Sequence, residues 1–596
     1  MSRSLPTALQ LGFTLLLTGL VADASGQFDN QWARFQNESA TRLNGITANQ
    51  LSNNDNEIDF DYADLDKNGF IDLVGVRKQP VTSFGKRTNV LLMNYNGVLT
   101  DMTTTFATAS DVSGDQGFLT PTNDRDVEIA DVNGDGWPDV ITAPALSQGT
   151  EPKHIDHPRV YINLGESSPG NWNGLRFEDA RFPQLIAAGG AMPGANSCGI
   201  AAGDVDNDGD ADLYLVDYDA GNGGGANDLG DRLMINDGNG FFTDGSTAAM
   251  TSAMLSSAFG TAGYIADING DGFNDVIKSE NGPVDLRINN PFNPGVFNIF
   301  QSVYPGSAYH HTIGDLNADG RLDVAVGDDG LDRVIYNTGN DALGRPIWGP
   351  AMTFQFLAGG DDGFGNNNII HDLDGDGWQD VVITDVDVDV GGCSRRTHIY
   401  RNPGGSVGQQ ITLREERQSA GSGWLGAVGF MQNDLTGGHD VVAFDIDNDG
   451  GDDIVLGRCS GTFIWMNKDF CAKPVAYASG ELGSTGNVGT TTWSGASSVS
   501  GPGFTVVGEG FTPNSFAVLF TGIGQGNVPT SGFTIHIGQV LTRTLGQTDA
   551  NGRVEFQVPI SAGQVGFTRT FQVVVRDPGF GGNVQGGNAI QTVFCP

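Results

Sequence analysis

Positive charge, cysteine and long apolar runs are all scarce in this chain. Its 596 residues carry 31 Lys and Arg against 71 Asp and Glu, a formal net charge of −40, which disfavours binding to a nucleic-acid backbone. One apolar run exists, from Leu9 to Val21 behind Arg3. It is short for a membrane span, and no second long run follows, so no transmembrane anchor is expected. Ala22-Asp23-Ala24 then shows the small-x-small pattern of a signal-peptidase site. Residues 1–24 are therefore expected to be a signal peptide, and the protein to be secreted or exported to the cell envelope, where free calcium is plentiful. No cysteine lies near that site, which argues against a lipid anchor. The five cysteines, Cys198, Cys393, Cys459, Cys471 and Cys595, suit an oxidising compartment. Cys393 with Cys459 and Cys471 with Cys595 are two candidate pairs, with Cys198 left over. A Ser-His-Asp order, a phosphate loop and a Cys-x-x-Cys zinc spacing are missing too, so the chain reads as a protein without an evident catalytic site.

What the chain does have is one nine-residue phrase written seven times: acid, any, acid or Asn, any, Asp or Asn, Gly, two residues, Asp. Alternate positions 1, 3 and 5 of a tight loop can aim carboxylate or amide oxygens at one point, position 7 adds its carbonyl, and position 9 closes the shell. That is a ligand set for calcium, a hard cation that takes six to eight oxygens. The candidate ligands are Asp64, Asp66, Asn68 and Asp72; Asp131, Asn133, Asp135 and Asp139; Asp204, Asp206, Asp208 and Asp212; Asp267, Asn269, Asp271 and Asp275; Asp315, Asn317, Asp319 and Asp323; Asp372, Asp374, Asp376 and Asp380; and Asp445, Asp447, Asp449 and Asp453. Gly at position 6 (Gly69, Gly136, Gly209, Gly272, Gly320, Gly377, Gly450) supplies the positive φ that folds the loop back. An EF-hand opens in the same way but needs a Glu at position 12; here that position holds Gly75, Thr142, Leu215, Lys278, Val326, Ile383 and Leu456. The residues after position 9 are β-branched runs, so each loop is expected between two strands.

The acidic candidate ligands of these loops are 24 of the 71 acidic residues. Three or four carboxylates crowded together repel one another, so folding without metal is expected to be weak. At calcium tenfold above its dissociation constant, each site adds roughly 1.4 kcal/mol by mass action. Seven structural sites then add on the order of 10 kcal/mol, comparable to a domain's net stability.

Successive loops lie 67, 73, 63, 48, 57 and 73 residues apart. An apolar triplet ending in Asn follows each, as in Val160-Tyr-Ile-Asn163, Leu233-Met-Ile-Asn236, Val334-Ile-Tyr-Asn337 and Ile464-Trp-Met-Asn467. It stands 14 residues past the closing Asp in three copies and 22 to 24 past it in four. Strand-built repeats of this length indicate a radial β-propeller. The phrase strand–D-x-D-x-D-G-x-x-D-L–strand–V-x-x-N resembles the FG-GAP/VCBS repeats of the integrin α-subunit head and of many secreted bacterial proteins, over residues 28–470. The resemblance implies an all-β, seven-bladed propeller with the calcium loop between the first and second strands of each blade. The last repeat stops at Met466-Asn-Lys-Asp469, before a fourth strand, while the chain begins with an orphan strand, Trp32-Ala-Arg-Phe-Gln-Asn-Glu-Ser-Ala. That strand is expected to complete the last blade and remove the open edge.

Residues 472–596 are Gly-, Thr-, Ser- and Val-rich and alternate like strands, so a small Ig-like β-sandwich is expected there. Ala550-Asn551-Gly552 reads as a hairpin turn, and Asp549 with Asn551 lacks a closing Asp for an eighth loop. On the propeller face opposite the loops should lie the residues five before position 1 (Asp59, Asp126, Gly199, Ala262, His310, Asn367, Asp440). Those five after position 9 (Arg77, Pro144, Asp217, Glu280, Asp328, Asp385, Arg458) should share that face. Asp385, Asp387 and Asp389 alternate along one strand side as an acidic rim or an extra cation site, and His310-His311 read as a channel-lining pair. The expectation is a secreted, calcium-stabilised, non-enzymatic adhesion or recognition module for a protein or glycan partner on that face. The alternatives are a calcium-dependent polysaccharide lyase or hydrolase, a phosphatase, or a lectin on the same scaffold.

Overall fold

The computed structural model describes the chain outside residues 1–32, 46–56, 79–85, 146–150, 219–228, 258–259, 281, 329, 356–364, 386–394, 416–426, 432, 470–472, 500, 531–532, 580–583 and 596. The expected signal peptide, Asp387, Asp389, Cys393 and Cys471 lie outside the described residues. The fold is all-β. The described α-helices are single four-residue turns, and no described helix is long and apolar enough to cross a membrane.

Each Asp-rich loop joins two antiparallel strands. The pairs are Glu57–Ala63 with Asp72–Lys78, Asp124–Ala130 with Asp139–Pro144, Ser197–Gly203 with Asp212–Asp217, and Gly260–Ala266 with Asp275–Glu280. Phe297–Gly314 with Asp323–Asp328, Gly365–His371 with Asp380–Asp385, and Gly438–Phe444 with Asp453–Arg458 complete the seven. The register repeats: the residue before the loop faces the closing Asp, as in Ala63↔Asp72, Gly203↔Asp212 and Phe444↔Asp453. A third strand adds to each second one: Val90–Asn94, Arg159–Asn163, Arg232–Asn236, Gly282–Asn289, Arg333–Ile335, His398–Tyr400 and Gly461–Asp469. The second strands are buried along nearly their whole length. They sit inside their sheets with other sheets stacked on both faces, which is why they read as continuous apolar runs rather than as alternation.

Fourth strands close the units in different ways. Leu99–Asp101, Leu175–Phe177 and Phe242–Asp244 are short hairpin partners of the third strands. The long strand Phe297–Gly314 is the fourth strand of unit four through its first half and the first strand of unit five through its second, which fuses those two sheets. In unit seven the partner is the N-terminal strand Arg34–Asn37, paired antiparallel with Gly461–Asp469, as the orphan strand led one to expect.

The first strands pack side by side in chain order, and the seventh, Gly438–Phe444, packs against the first, Glu57–Ala63, so the neighbour relation returns to its start. Seven apolar clusters fill the spaces between successive units. Ile58, Phe60 and Leu92 of unit one meet Val442, Phe444 and Met466 of unit seven; Phe35, carried by the N-terminal strand, lies between units six and seven with Ile399, Val441 and Trp465. The remaining clusters join units one and two, two and three, three and four, four and five, and five and six.

Residues 475–593 form a five-stranded and a three-stranded sheet around a separate core of Phe504, Val506, Phe511, Leu519, Phe556, Phe571, Val573 and Ile590. The turn at Asn551-Gly552 is real, with Gly552 at φ +81° and Asp549 accepting from the N–H groups of Asn551 and Arg553 at 2.8 Å. It is not a hairpin, however. It joins Thr534–Gln547 in one sheet to Val554–Val558 in the other, because the apolar side chains on both sides pack into the core that the two sheets share.

Candidate metal centres

All seven position-6 glycines take positive φ, from +82° to +98°, and each donates its N–H to the position-1 carboxylate at 2.7–3.0 Å. The position-5 oxygen accepts from the N–H of position 7 in every copy. The closing Asp opens the second strand and is almost fully buried in all seven. One of its oxygens accepts from the N–H of position 2 at 2.9–3.2 Å. The other accepts from the backbone N–H of the third-strand Asn at 2.7–2.8 Å.

The ligand oxygens converge. In Asp64/Asp66/Asp72, Asp204/Asp206/Asp212, Asp372/Asp374/Asp380 and Asp445/Asp447/Asp453, one oxygen of each residue lies within 4.8 Å of the others. Oxygens on opposite sides of a calcium ion stand about 4.6–5.2 Å apart, so the spacing suits that ion. Loops two, four and five have Asn133, Asn269 and Asn317 at position 3 instead, each accepting from the N–H of position 5. A buried ligand oxygen is left without a partner in Asp131, Asp206, Asp372 and Asp447, an arrangement that costs free energy unless a cation takes those lone pairs.

Burial, reinforced by the neighbouring loop carboxylates, pushes Asp72, Asp323 and Asp453 up to about 8. It pushes Asp139, Asp212 and Asp275 up to about 7. Asp380 rises well above the carboxylate range for the same reasons. Position 7 of the third loop is an additional acid that the phrase left open: Asp210 is raised to about 6 by burial and by Asp208, and its Oδ1 is buried without a partner. Basic side chains approach some loops from outside, Arg42 on Asp447 at 2.8 Å and Arg401 on Asp374 at 3.5 Å.

The third-strand Asn links units in a way that the spacing alone did not reveal. Its side-chain amide donates to the position-2 carbonyl of the preceding unit's loop: Asn163 to Leu65, Asn236 to Val132, Asn289 to Val205, Asn337 to Ile268, Asn402 to Leu316 and Asn467 to Leu373, at 2.6–3.1 Å. Asn94 of unit one donates to Ile446 of unit seven at 2.8 Å, which completes a cycle of seven equivalent bonds. A signal was present in the sequence: position 2 is aliphatic in every copy (Leu65, Val132, Val205, Ile268, Leu316, Leu373, Ile446), as a buried linker residue has to be.

The face residues divide. Of the residues five before the loops, Asp59, Asp126, Ala262, His310, Asn367 and Asp440 line one cavity of about 310 Å³, with Gly199 represented by its neighbours Cys198 and Ile200. The residues five after the loops do not join them as an exposed surface. Arg77, Asp217, Asp328, Asp385 and Arg458 are buried. Arg77 donates to the Thr88 carbonyl at 2.8 Å, and Arg458 to that of Thr436 at 2.8 Å. Asp385 is likewise no rim residue: it holds His398 at 3.1 Å. The histidine pair also splits, since His310 lines the cavity while His311 is buried against Tyr264. Cys459 and Cys595 are disulfide-bonded, and Cys198 is a buried thiol.

Among known proteins, no curated sequence matches the chain. Among solved structures, the Tc holotoxin pore of Photorhabdus luminescens is similar at 12% identity and a TM-score of 0.32, over 84% of this chain and 21% of that one. The exo-β-1,3-galactanase of Phanerochaete chrysosporium is similar at 10% identity and a TM-score of 0.28, over 82% of this chain and 98% of the other. This chain thus spans about a fifth of the toxin chain's length. A family profile, the FG-GAP-like repeat, matches residues 204–277, from the first Asp of the third loop into the second strand of unit four, and over that span the chain is an FG-GAP-like repeat.

Proposed function

We propose that the seven units are the blades of one closed β-propeller over about residues 28–470, of the integrin α-like type, followed by an Ig-like sandwich over 472–596. Each Asp-rich loop holds one structural calcium ion, and the protein is a secreted adhesion or recognition module that meets a protein or glycan partner on the face away from the loops. The observation that carries this reading is the cycle of Asn-to-loop hydrogen bonds, which ties every candidate metal loop to the next unit and returns from unit seven to unit one. Calcium would neutralise the crowded carboxylates and take up their orphaned oxygens. It would thereby fix the position-2 carbonyl that the neighbouring unit's Asn grips, so that metal binding stiffens the contacts between blades. Thermal unfolding in calcium and in chelator tests this. With several sites at tenfold saturation the melting temperature should fall by roughly 10 °C or more in chelator, and an unchanged melting temperature would sink the reading. A pull-down from cell-surface extract in the presence and absence of calcium then identifies the partner.

A further inference from the structure

Loop six differs from the other loops in what lies against it. Position 5 is exposed at Asn68, Asp135, Asp208, Asp271 and Asp449 and partly buried at Asp319, whereas Asp374 and Asp376 of loop six are each 8% exposed. The C-terminal sandwich meets this loop. A Cβ on Gly377 would come within 2.6 Å of the Ala496 Cβ and 2.8 Å of the Pro502 Cδ, and one on Gly501 would run into the Asp376 carbonyl oxygen. Glycine on each side thus lets backbone approach backbone. A second contact lies next to the first. Lys473, at the start of the sandwich, donates to Asp452 at 2.5 Å, and His371, the residue before loop six, meets the same carboxylate oxygen at 2.6 Å. A cavity of about 610 Å³ opens beside the junction, between Asp315, Asp372 and Gln379 on one side and Trp493, Thr505 and Gln557 of the sandwich on the other.

The junction therefore falls on concentrated negative charge. One oxygen from each of Asp372, Asp374 and Asp380 lies within 4.8 Å of the others, and Asp372 Oδ1 is buried without a partner. Arg401 approaches from the side, 3.5 Å from Asp374 and 4.0 Å from Asp376, so one guanidinium faces four carboxyl groups. Repulsion among like charges grows as water is excluded, and so does their attraction for a cation among them. Covering this loop is thus unfavourable when it is empty and favourable when it holds an ion.

We infer that loop six is a calcium-dependent docking site for the chain's own C-terminal sandwich. The ion in that loop holds the sandwich against the seven units, and the sandwich in turn tightens the binding of the ion. Both effects are one coupling free energy seen from its two ends, so they are equal in factor. The inference rests on the calcium reading of the loops and adds to it a role for one loop in particular: calcium sets how the sandwich is held as well as how stable the units are.

Hydrogen exchange of the full chain in saturating calcium, read by mass spectrometry over residues 496–503, tests this, with bound ions counted by native mass spectrometry. Asp372→Ala should lose one ion and speed exchange over 496–503 by about tenfold or more. Asp204 accepts from the Gly209 N–H as Asp372 does from that of Gly377, so Asp204→Ala does the same damage to loop three. It should lose one ion and leave exchange over 496–503 at the native rate. Should Asp372→Ala fail to fold, Gly501→Leu gives the reciprocal reading: one ion should bind about tenfold or more weakly, and native affinity for every ion overturns the inference. A native chain that binds no calcium overturns the loop reading and this inference with it. A native chain that binds calcium, with exchange over 496–503 indifferent to Asp372→Ala, overturns this inference alone.

Discussion

Removing one Asn of the inter-unit cycle should cost far more than removing an ordinary surface amide. Asn236 is 4% exposed. Its side chain donates to the carbonyls of Val132 at 2.7 Å and Ala211 at 2.9 Å, and accepts from the N–H groups of Gly240 at 3.0 Å and Gly238 at 3.2 Å. At about 1 kcal/mol net for each bond, Asn236→Ala loses about 4 kcal/mol, the upper part of the range for single substitutions. Asn236→Asp should cost at least as much: a carboxylate keeps the two acceptor bonds but cannot donate, so it sets a negative charge against two carbonyl oxygens. The exposed Asn239, on the same turn, serves as comparison, with Asn239→Ala expected within about 0.5 kcal/mol of the native protein. Urea unfolding in saturating calcium, followed by tryptophan fluorescence, measures all three. A loss of less than about 1 kcal/mol for Asn236→Ala, or an Asn236→Asp variant as stable as the native protein, would refute the idea that this amide couples neighbouring units.

Three other outcomes follow from the geometry. Phe35→Ala in the N-terminal strand, with Phe35 2% exposed and packed on Phe430 at 5.6 Å, should cost about 3–5 kcal/mol in the same unfolding assay, since it opens the junction of units six and seven. Gly69→Ala and Gly377→Ala both force a side chain into positive φ, but at Gly69 a Cβ meets open space, whereas at Gly377 it comes within 2.6 Å of the Ala496 Cβ. The second should therefore be the more destabilising by at least about 1 kcal/mol, as calorimetry can read. His398 is fully buried between Asp385 and Glu415, at 3.1 and 3.0 Å. Burial alone would lower its pKa, but the two carboxylates outweigh it and raise the group to about 10. Its contribution is therefore complete below the unfolded value near 6.5 and is lost as pH rises through about 10. His398→Gln should remove that part of the alkaline loss of stability, and an unaltered alkaline profile would count against the assignment.

How far the sequence reached depended on how local each determinant is. The conformation of the loops was legible because Asp64 to Asp72, or Asp445 to Asp453, contain their carboxylates, their Gly and their strand start within nine residues, so geometry leaves its mark in one short window. The pairing of Arg34–Asn37 with Gly461–Asp469 was also legible, because a missing fourth strand at one end and an orphan strand at the other are complementary gaps. The role of the third-strand Asn was visible only as a fixed position. Its acceptor lies 352 residues away for Asn94 and 104 for Asn236, and nothing local announces it. Arg77, Asp217 and Arg458 were assigned to a surface because counting five residues along a strand from the loop places a residue at the far end without saying what covers that end. The turn at Asn551-Gly552 misled for a related reason: a tight turn fixes the local chain reversal, while the choice between one sheet and two is made by the Phe and Val side chains of the shared core.

The most direct measurement of the central claim is the number of calcium ions held by the folded chain, read by native mass spectrometry alongside thermal unfolding. The account predicts seven loop ions, and a parallel loss of ions and of melting temperature as chelator is added. A chain that stays folded to the same temperature with no calcium bound would contradict it.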